Sequence, residues 1–389
     1  MFDVDIDRTV VPALKVHPMV VGTDGADRFA AGVADMDFKP PQAVLDAMAQ
    51  RLAHGVFGYE AVPADLFPSL IDWFNDRHNW KISDEHIVRS PNVLNTLSMA
   101  LNAFTKKGEG VIVQPPVFFD FYDILNENDR RVVKNNLKLI NGRYEIDFDD
   151  LAARAADPKT TMMFLCNPHN PIGRVWSADD LRRIGEICLA HNVLVVSDEI
   201  HCDITYANAP YTPFALLGNE LADNAIICLS PAKSFNIASC CSAFAIVSNE
   251  GIRKRLQAEN SRLTVNKNNA FASVAMNAAF RSGGPWLDSL LVHFQENIEL
   301  VRARFETMKA VSFIEPEGTF LLWLDFRKLK LKQTDLVKFL REDARWAITN
   351  GGSFGPEGEG FMRLNIACTR SKLNAGLDKL EQALEKRSN

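Results

Sequence analysis

The stretch "ICLSPAKSFNIAS", residues 227–239, runs from an apolar segment straight into a turn of small residues and hydroxyls that holds one lysine, Lys233. Lysines in solvated loops sit among polar neighbours, whereas this amine leaves the end of a strand-like run. Two readings follow. Lys233 is an ordinary surface lysine, or its amine is a covalent catalyst. The surrounding sequence bears on the choice.

Outward from this turn, short apolar runs alternate with amphipathic stretches, the pattern of a mostly parallel sheet covered by helices. Expected strands are "GVIVQ" (110–114), "TMMFLC" (161–166), "VLVVS" (193–197), "AIICLS" (225–230) and "AFAIVS" (243–248). The segment 177–192 reads as a helix, with Ser177 as N-cap and apolar residues at helical spacing. A long helix is expected over 286–309. Beyond it, strands at 319–327 and 361–367 flank a helix near 333–344, which describes a smaller α+β unit. The reading therefore divides the chain into a large α/β domain (45–285), a small C-terminal domain (286–389) and an N-terminal segment (1–44) that joins the small one. No repeat, low-complexity segment or linker interrupts this plan.

Composition narrows the function. A chain of 389 residues with 47% hydrophobic and 24% charged residues is that of a soluble globular protein. The net charge of -6, with no basic block, argues against nucleic acid as a partner. No apolar run reaches the ~18 residues needed to span a bilayer, so no membrane role is expected. The first ten residues lack the layout of a signal peptide. The seven cysteines are scattered and odd in number, so a reducing cytoplasm is the expected home, without disulfides. No spacing reads as a metal site.

Three loops follow three of the strands: "NPHNPIG" (167–173), "DEIH" (198–201) and "SPAKSFN" (230–236). Ligands in open α/β sheets sit outside the carboxyl ends of the strands, so Asn170, Asp198 and Lys233 are expected to converge. Each alone has a structural explanation, as a turn residue, a helix cap or a surface lysine; three at successive strand ends are harder to explain so. A lysine, an acid and an asparagine around one cleft suit pyridoxal 5′-phosphate. The amine bonds to the aldehyde and later moves protons. The carboxylate holds a protonated ring nitrogen, and the asparagine amide donates to the phenolic oxygen. The phosphate needs oriented N–H groups, which the turn and helix of "RSPNVLNTLSMALNAF" (89–104) supply through the amides of Val93 and Leu94. Ser230 is expected to add a hydroxyl. Phe118, in "PPVFFDFY", is read either as a ring-stacking residue or as plain core. Arg363, inside "GFMRLNIA", has a planar fork suited to an α-carboxylate, with an internal ion pair as the alternative.

These residues carry a resemblance. The chain resembles the fold type I pyridoxal-phosphate enzymes, and within them the MalY/PatB-type cystathionine β-lyases. The likeness runs through "VADMDF" (33–38), "HGVFGY" (54–59), "NPHNPIGRVW" (167–176), "SDEIH" (197–201), "AKSFNIA" (232–238), "GGPWLD" (283–288) and "GFMRLN" (360–365). It implies a fold type I large domain with a seven-stranded-type, mostly parallel sheet. It also implies a homodimer with shared active sites, Tyr59 on the neighbouring subunit's phosphate, and a backbone group of Ala34 at the substrate carboxylate. His201 joins the cofactor site, where aminotransferases often have a tyrosine and MalY-like lyases a histidine.

Departures fall on the substrate side: Val16 in place of a common tryptophan, Ala232 in place of a serine, Gly352 in a loop without its usual aromatic or proline, and Lys267 near the expected interface. The resemblance implies a β-lyase acting on S-substituted cysteines. An aminotransferase working on an amino acid and keto acid pair uses the same lysine, asparagine and arginine. A regulatory protein that binds a partner and keeps a vestigial site is a third reading, opposed by the intact Lys233, Asp198 and Arg363.

Overall fold

The computed structural model describes residues 2–388. Its central sheet comprises β1 (Ile87–Ser90), β2 (Gly110–Val113), β3 (Arg131–Lys134), β4 (Thr160–Cys166), β5 (Leu194–Asp198), β6 (Ala225–Leu229) and β7 (Ala243–Ile246). The spatial order is β1-β7-β6-β5-β4-β2-β3. Only β7 runs antiparallel to its neighbours; the other pairings are parallel.

The apolar runs are continuous because both faces of the sheet are covered. Met163, Leu165, Val195 and Ile227 enter one core cluster, while Met162, Phe164, Val196 and Ile226 enter another on the opposite face. That is the two-residue period of a strand, written entirely in hydrophobic residues. The edge strand β3 escaped the sequence reading for the opposite reason. β3 begins and ends on Arg131 and Lys134 and buries only Val133, so it carries little apolar signal.

The helix Ala178–Ala190 starts at Ser177 with a reciprocal capping box to Asp180. The long helix spans Gly284–Thr307 and buries Leu287, Leu290, Phe294, Ile298, Val301 and Phe305, a helical stripe facing the core. Past it, Ser312–Ile314, Leu321–Asp325, Phe361–Asn365 and Thr349–Asn350 form a second, antiparallel sheet. The N-terminal segment is stitched to this region. Phe29–Ala30 pairs in parallel with Trp346–Ala347, and Asn365 N donates to Ala31 O at 2.9 Å. All seven cysteines are free, five of them buried. Among the described residues no helix is long and apolar enough to cross a membrane.

Because β4, β5 and β6 are adjacent and parallel, the loops leaving their carboxyl ends open on the same edge of the sheet. That edge carries the three loops singled out above.

Candidate active site

Lys233 sits in a four-residue helix, Pro231–Ser234, capped by Ser230, whose hydroxyl accepts from Ala232 N. Its Nζ donates to Ala34 O at 2.7 Å. Burial pushes the amine down to about 8, and Arg363 pushes the same way, against the pull of Asp35, Asp198 and Asp120. The lysine is therefore not a solvated surface group. It is a half-desolvated amine with a proton easily lost near neutrality.

Asp198 ends β5, 4% exposed, and its Oδ1 accepts from Ile200 N at 3.2 Å. Burial raises its carboxyl to about 7, only partly offset by that hydrogen bond and by Lys233. A carboxylate held there lacks a close cation. His201, in the same loop, is buried, and its Nδ1 has no hydrogen-bond partner. Burial drives the imidazole well below its ordinary range, so it is neutral.

Asn170 and Arg363 meet directly. Arg363 Nη1 donates to Asn170 Oδ1 at 2.9 Å, and Nη2 donates to Gly32 O at 2.8 Å and to Thr349 Oγ1 at 3.3 Å. Its guanidinium lies 4.9 Å from the Phe354 ring centroid. The Nε has no partner. Among the described residues no carboxylate pairs with it, so the alternative of an internal ion pair is set aside. Burial holds this guanidinium down to about 9, with Asp120 opposing. A cation so desolvated calls for an anionic ligand.

The segment 31–38, which includes Ala34, is gripped from several sides. Asn365 Nδ2 donates to Val33 O and Asp35 O, both at 2.6 Å. Asn236 Nδ2 donates to Met36 O and Phe38 O, while its Oδ1 accepts from Met36 N at 2.9 Å. Asp37, 4% exposed, is bridged by Lys15 at 2.9 Å, Arg8 at 3.0 Å and Lys372 at 2.6 Å. Burial alone would raise the Asp37 carboxyl, but Lys15 and Lys372 outweigh it and bring it down to about 2. Lys15, 1% exposed, is thus buried against two carboxylates, Asp35 and Asp37.

On the phosphate side, Asn92 caps the helix Val93–Phe104 by accepting from Asn95 N at 2.8 Å, and Asn92 O takes Thr96 N. The amides of Val93 and Leu94 are left without an acceptor among the described residues, two oriented donors at a helix start. Ser230 Oγ donates to Ser242 O at 2.6 Å, so its proton is already committed. Phe118 is half-buried, 5.0 Å from the Phe119 ring and 6.1 Å from Phe121, at the rim of the core rather than inside it. Tyr59 is fully exposed beside exposed Val56 and Phe57. Of the departures, Val16 packs with Val21, Ala30 and Ala347 in a small apolar cluster, while Gly352 and Lys267 are exposed.

Residues not foreseen from sequence are Asp120, Asn236, Asn365 and the Lys15–Asp37–Lys372 bridge. Asp120 opens the helix Asp120–Glu127, and burial raises its carboxyl while Lys233 and Arg363 pull it down. The signal for Asn236 and Asn365 was present inside "AKSFN" and "RLN", but nothing in their spacing said that both would clamp residues 31–38.

The donor set fits pyridoxal 5′-phosphate group by group. A lysine amine of lowered basicity, a buried acid without a cation, a free side-chain amide and two free backbone amides match its aldehyde, ring nitrogen, phenolic oxygen and phosphate. Fold and site together define a pyridoxal-phosphate-dependent enzyme of fold type I. The chain belongs to the aminotransferase class I and II family, whose model matches residues 29–380. It is 40% identical to cystathionine beta-lyase PatB of Bacillus subtilis, over 92% of this chain and 93% of that protein. It is 34% identical to protein MalY of Escherichia coli, over 92% and 94%. The structure of cystalysin from Treponema denticola, which contains a pyridoxal 5′-phosphate cofactor, superposes with a TM-score of 0.96 at 30% identity, covering 100% of this chain and 99% of that one.

Proposed function

We propose that this protein is a carbon–sulfur β-lyase that cleaves cystathionine or another S-substituted cysteine, with one water, to a thiol, pyruvate and ammonia. The observation that carries the reading is the full-length 40% identity to a cystathionine β-lyase in a chain whose lysine, aspartate and arginine stand together. Bound pyridoxal phosphate supplies an electron-withdrawing ring that makes the substrate α-proton acidic. The chain does the rest. Arg363 holds the α-carboxylate with its free Nε and fork, and Ala34 presents backbone beside it. The Lys233 amine, near 8 in this environment, takes the α-proton. Asp198 keeps the ring nitrogen protonated, and Asn170, fixed by Arg363, directs its amide to the phenolic oxygen. The Val93 and Leu94 amides would hold the phosphate, Phe118 is available to pack against the ring, and His201 stays neutral in the Asp198 loop. Loss of the β-thiolate completes the elimination.

The exposed Tyr59, Val56 and Phe57 support a homodimer in which Tyr59 reaches the neighbour's phosphate. We also assign residues 45–285 to the cofactor domain, 286–389 to the small domain and 1–44 to the segment joining it, in a cytoplasmic protein with free thiols. An aminotransferase would use the same residues and differ in its product. Incubation with a panel of amino acids separates the two. A lyase releases pyruvate from substrates with a β-leaving group and accumulates little pyridoxamine phosphate. Rapid, complete conversion to pyridoxamine phosphate with all amino acids would reverse the assignment.

A further inference from the structure

The turn that carries Lys233 is anchored by a carboxylate outside the set that meets the ligand. Asp203 is 4% exposed and accepts three hydrogen bonds: Ser234 Oγ at 2.5 Å, His78 Nε2 at 2.7 Å and Trp73 Nε1 at 3.1 Å. Arg77 Nε stands 3.9 Å away. Burial works to raise the Asp203 carboxyl, but the bonds from His78 and Ser234 and the charge of Arg77 prevail and keep it ionised. Tyr211 and Glu199, hydrogen-bonded to each other, and the buried Cys202, whose Sγ lies within 4.8 Å of the His78 and Asp203 polar atoms, also face this carboxylate, with the Tyr211 ring 5.1 Å from His78.

The position of this carboxylate is what matters. Ser234 follows Lys233 in the same helical turn, and Asp203 lies five residues beyond Asp198, two beyond His201. One short hydrogen bond therefore ties the turn that aims the amine to the loop that presents the ring's acid. Ser230 and Asn236 anchor the turn to Ser242 and to residues 36–38, but neither reaches the Asp198 loop. Only the Ser234–Asp203 bond links the amine's turn to that loop by side chains among the described residues.

We propose that Asp203 is a positioning residue for the reaction. Through Ser234 it sets where the Lys233 amine stands relative to a ring held on Asp198, and His78 holds Asp203 in place. His78, Arg77 and Asp203 border a cavity of about 1060 Å³, lined also by Trp73, Tyr211 and Asp288 and by none of the residues assigned to the cofactor or the substrate carboxylate. The inference rests on the reading that Lys233 carries the cofactor.

The test compares Ser234→Ala, Asp203→Asn and their double variant with Trp73→Phe, which removes a different bond to Asp203 and keeps an aromatic ring against Phe235 of the turn. Three quantities are read: the pH midpoint of the visible band of the lysine-bound cofactor, the rate at which cofactor-stripped protein binds added pyridoxal phosphate, and kcat against KM. Ser234→Ala and Asp203→Asn are expected to shift the midpoint in the same direction and to lower kcat by up to about 100-fold, the scale of a small misplacement, with KM little changed. The double variant is expected to be no worse than the worse single one. Trp73→Phe is expected to lower the melting temperature and leave the midpoint in place. If Ser234→Ala keeps the wild-type midpoint, binding rate and kcat, the proposal fails, whether or not Asp203→Asn folds. It fails equally if Trp73→Phe moves the midpoint as far as Ser234→Ala does. A wild-type protein without a Lys233-dependent visible band would instead overturn the cofactor reading, and this inference with it.

Discussion

Arg363 Nη1 lies 2.9 Å from Asn170 Oδ1, a bond that joins residues 193 apart in the chain. The group proposed to hold the substrate carboxylate thus orients the group proposed to hold the ring oxygen. On that proposal substrate and cofactor positions are coupled through one hydrogen bond, which uses the Asn170 Oδ1 and leaves its amide protons to the ring oxygen.

Arg363→Lys keeps the charge and loses the fork. It removes the Nη bonds to Asn170 and Gly32 together, and the bidentate grip on a carboxylate. The expected loss in kcat/KM is roughly 3 kcal/mol, about two orders of magnitude. Elimination and any slow amino-group transfer should fall alike, since both substrates present the same carboxylate. Steady-state kinetics with one substrate of each kind provides the check.

Lys233 gives a pH dependence with a definite sign. Its folded value of about 8 lies below the ordinary 10.5. The neutral, nucleophilic amine therefore fills in as pH rises through 8 rather than above 10. Cofactor-stripped protein should bind pyridoxal phosphate covalently at a rate that climbs between about pH 7 and 9 and then levels. Lys233→Ala should abolish the borohydride-reducible adduct and lower turnover by several orders of magnitude.

Asp198→Asn should move stability and ligand affinity in opposite directions. The folded carboxyl, at about 7, lies above its ordinary 3.8. A raised acid contributes its stability below the ordinary value and loses it as pH rises through the folded one. Stripped wild-type protein should therefore lose stability between about pH 4 and 7, and the asparagine variant should lose less. At pH 7.5 the stripped variant should melt above stripped wild type, yet bind pyridoxal phosphate more weakly because nothing stabilises a protonated ring nitrogen. Paired melting curves and binding titrations decide this.

Tyr59 has no partner in its own chain among the described residues and is fully exposed. Tyr59→Phe should weaken cofactor binding by about 1–2 kcal/mol, the scale of a hydrogen bond to a charged group, without altering the monomer's fold. Sedimentation should show a dimer, and a fully active monomer at high dilution would refute the shared site.

Much of this site is legible before any coordinates. Strands buried on both faces announce themselves as apolar runs, so "TMMFLC", "VLVVS" and "AIICLS" place their ends, and the loops after them carry Asn170, Asp198 and Lys233. The short edge strand Arg131–Lys134 does not, because only Val133 of its four residues is buried. The supporting shell was hidden for another reason. Asn236 and Asn365 clamp backbone 198 to 332 residues away, and Asp203 meets Ser234 31 residues on, so their function lies in contacts that have no local periodicity. Lys15 shows the same limit. In sequence it is a polar residue in "PALKVHP"; in the fold it is buried against Asp35 and Asp37.

The most direct test of the central claim is the product balance from cystathionine supplied without any keto acid. A β-lyase releases thiol and pyruvate in equal amounts, continuously, and does so without exhausting its pyridoxal phosphate. Arg363→Ala and Lys233→Ala should both suppress the release. No pyruvate from cystathionine or any other cysteine conjugate, with fast turnover appearing only when a keto acid is added, would contradict the account and make the protein an aminotransferase.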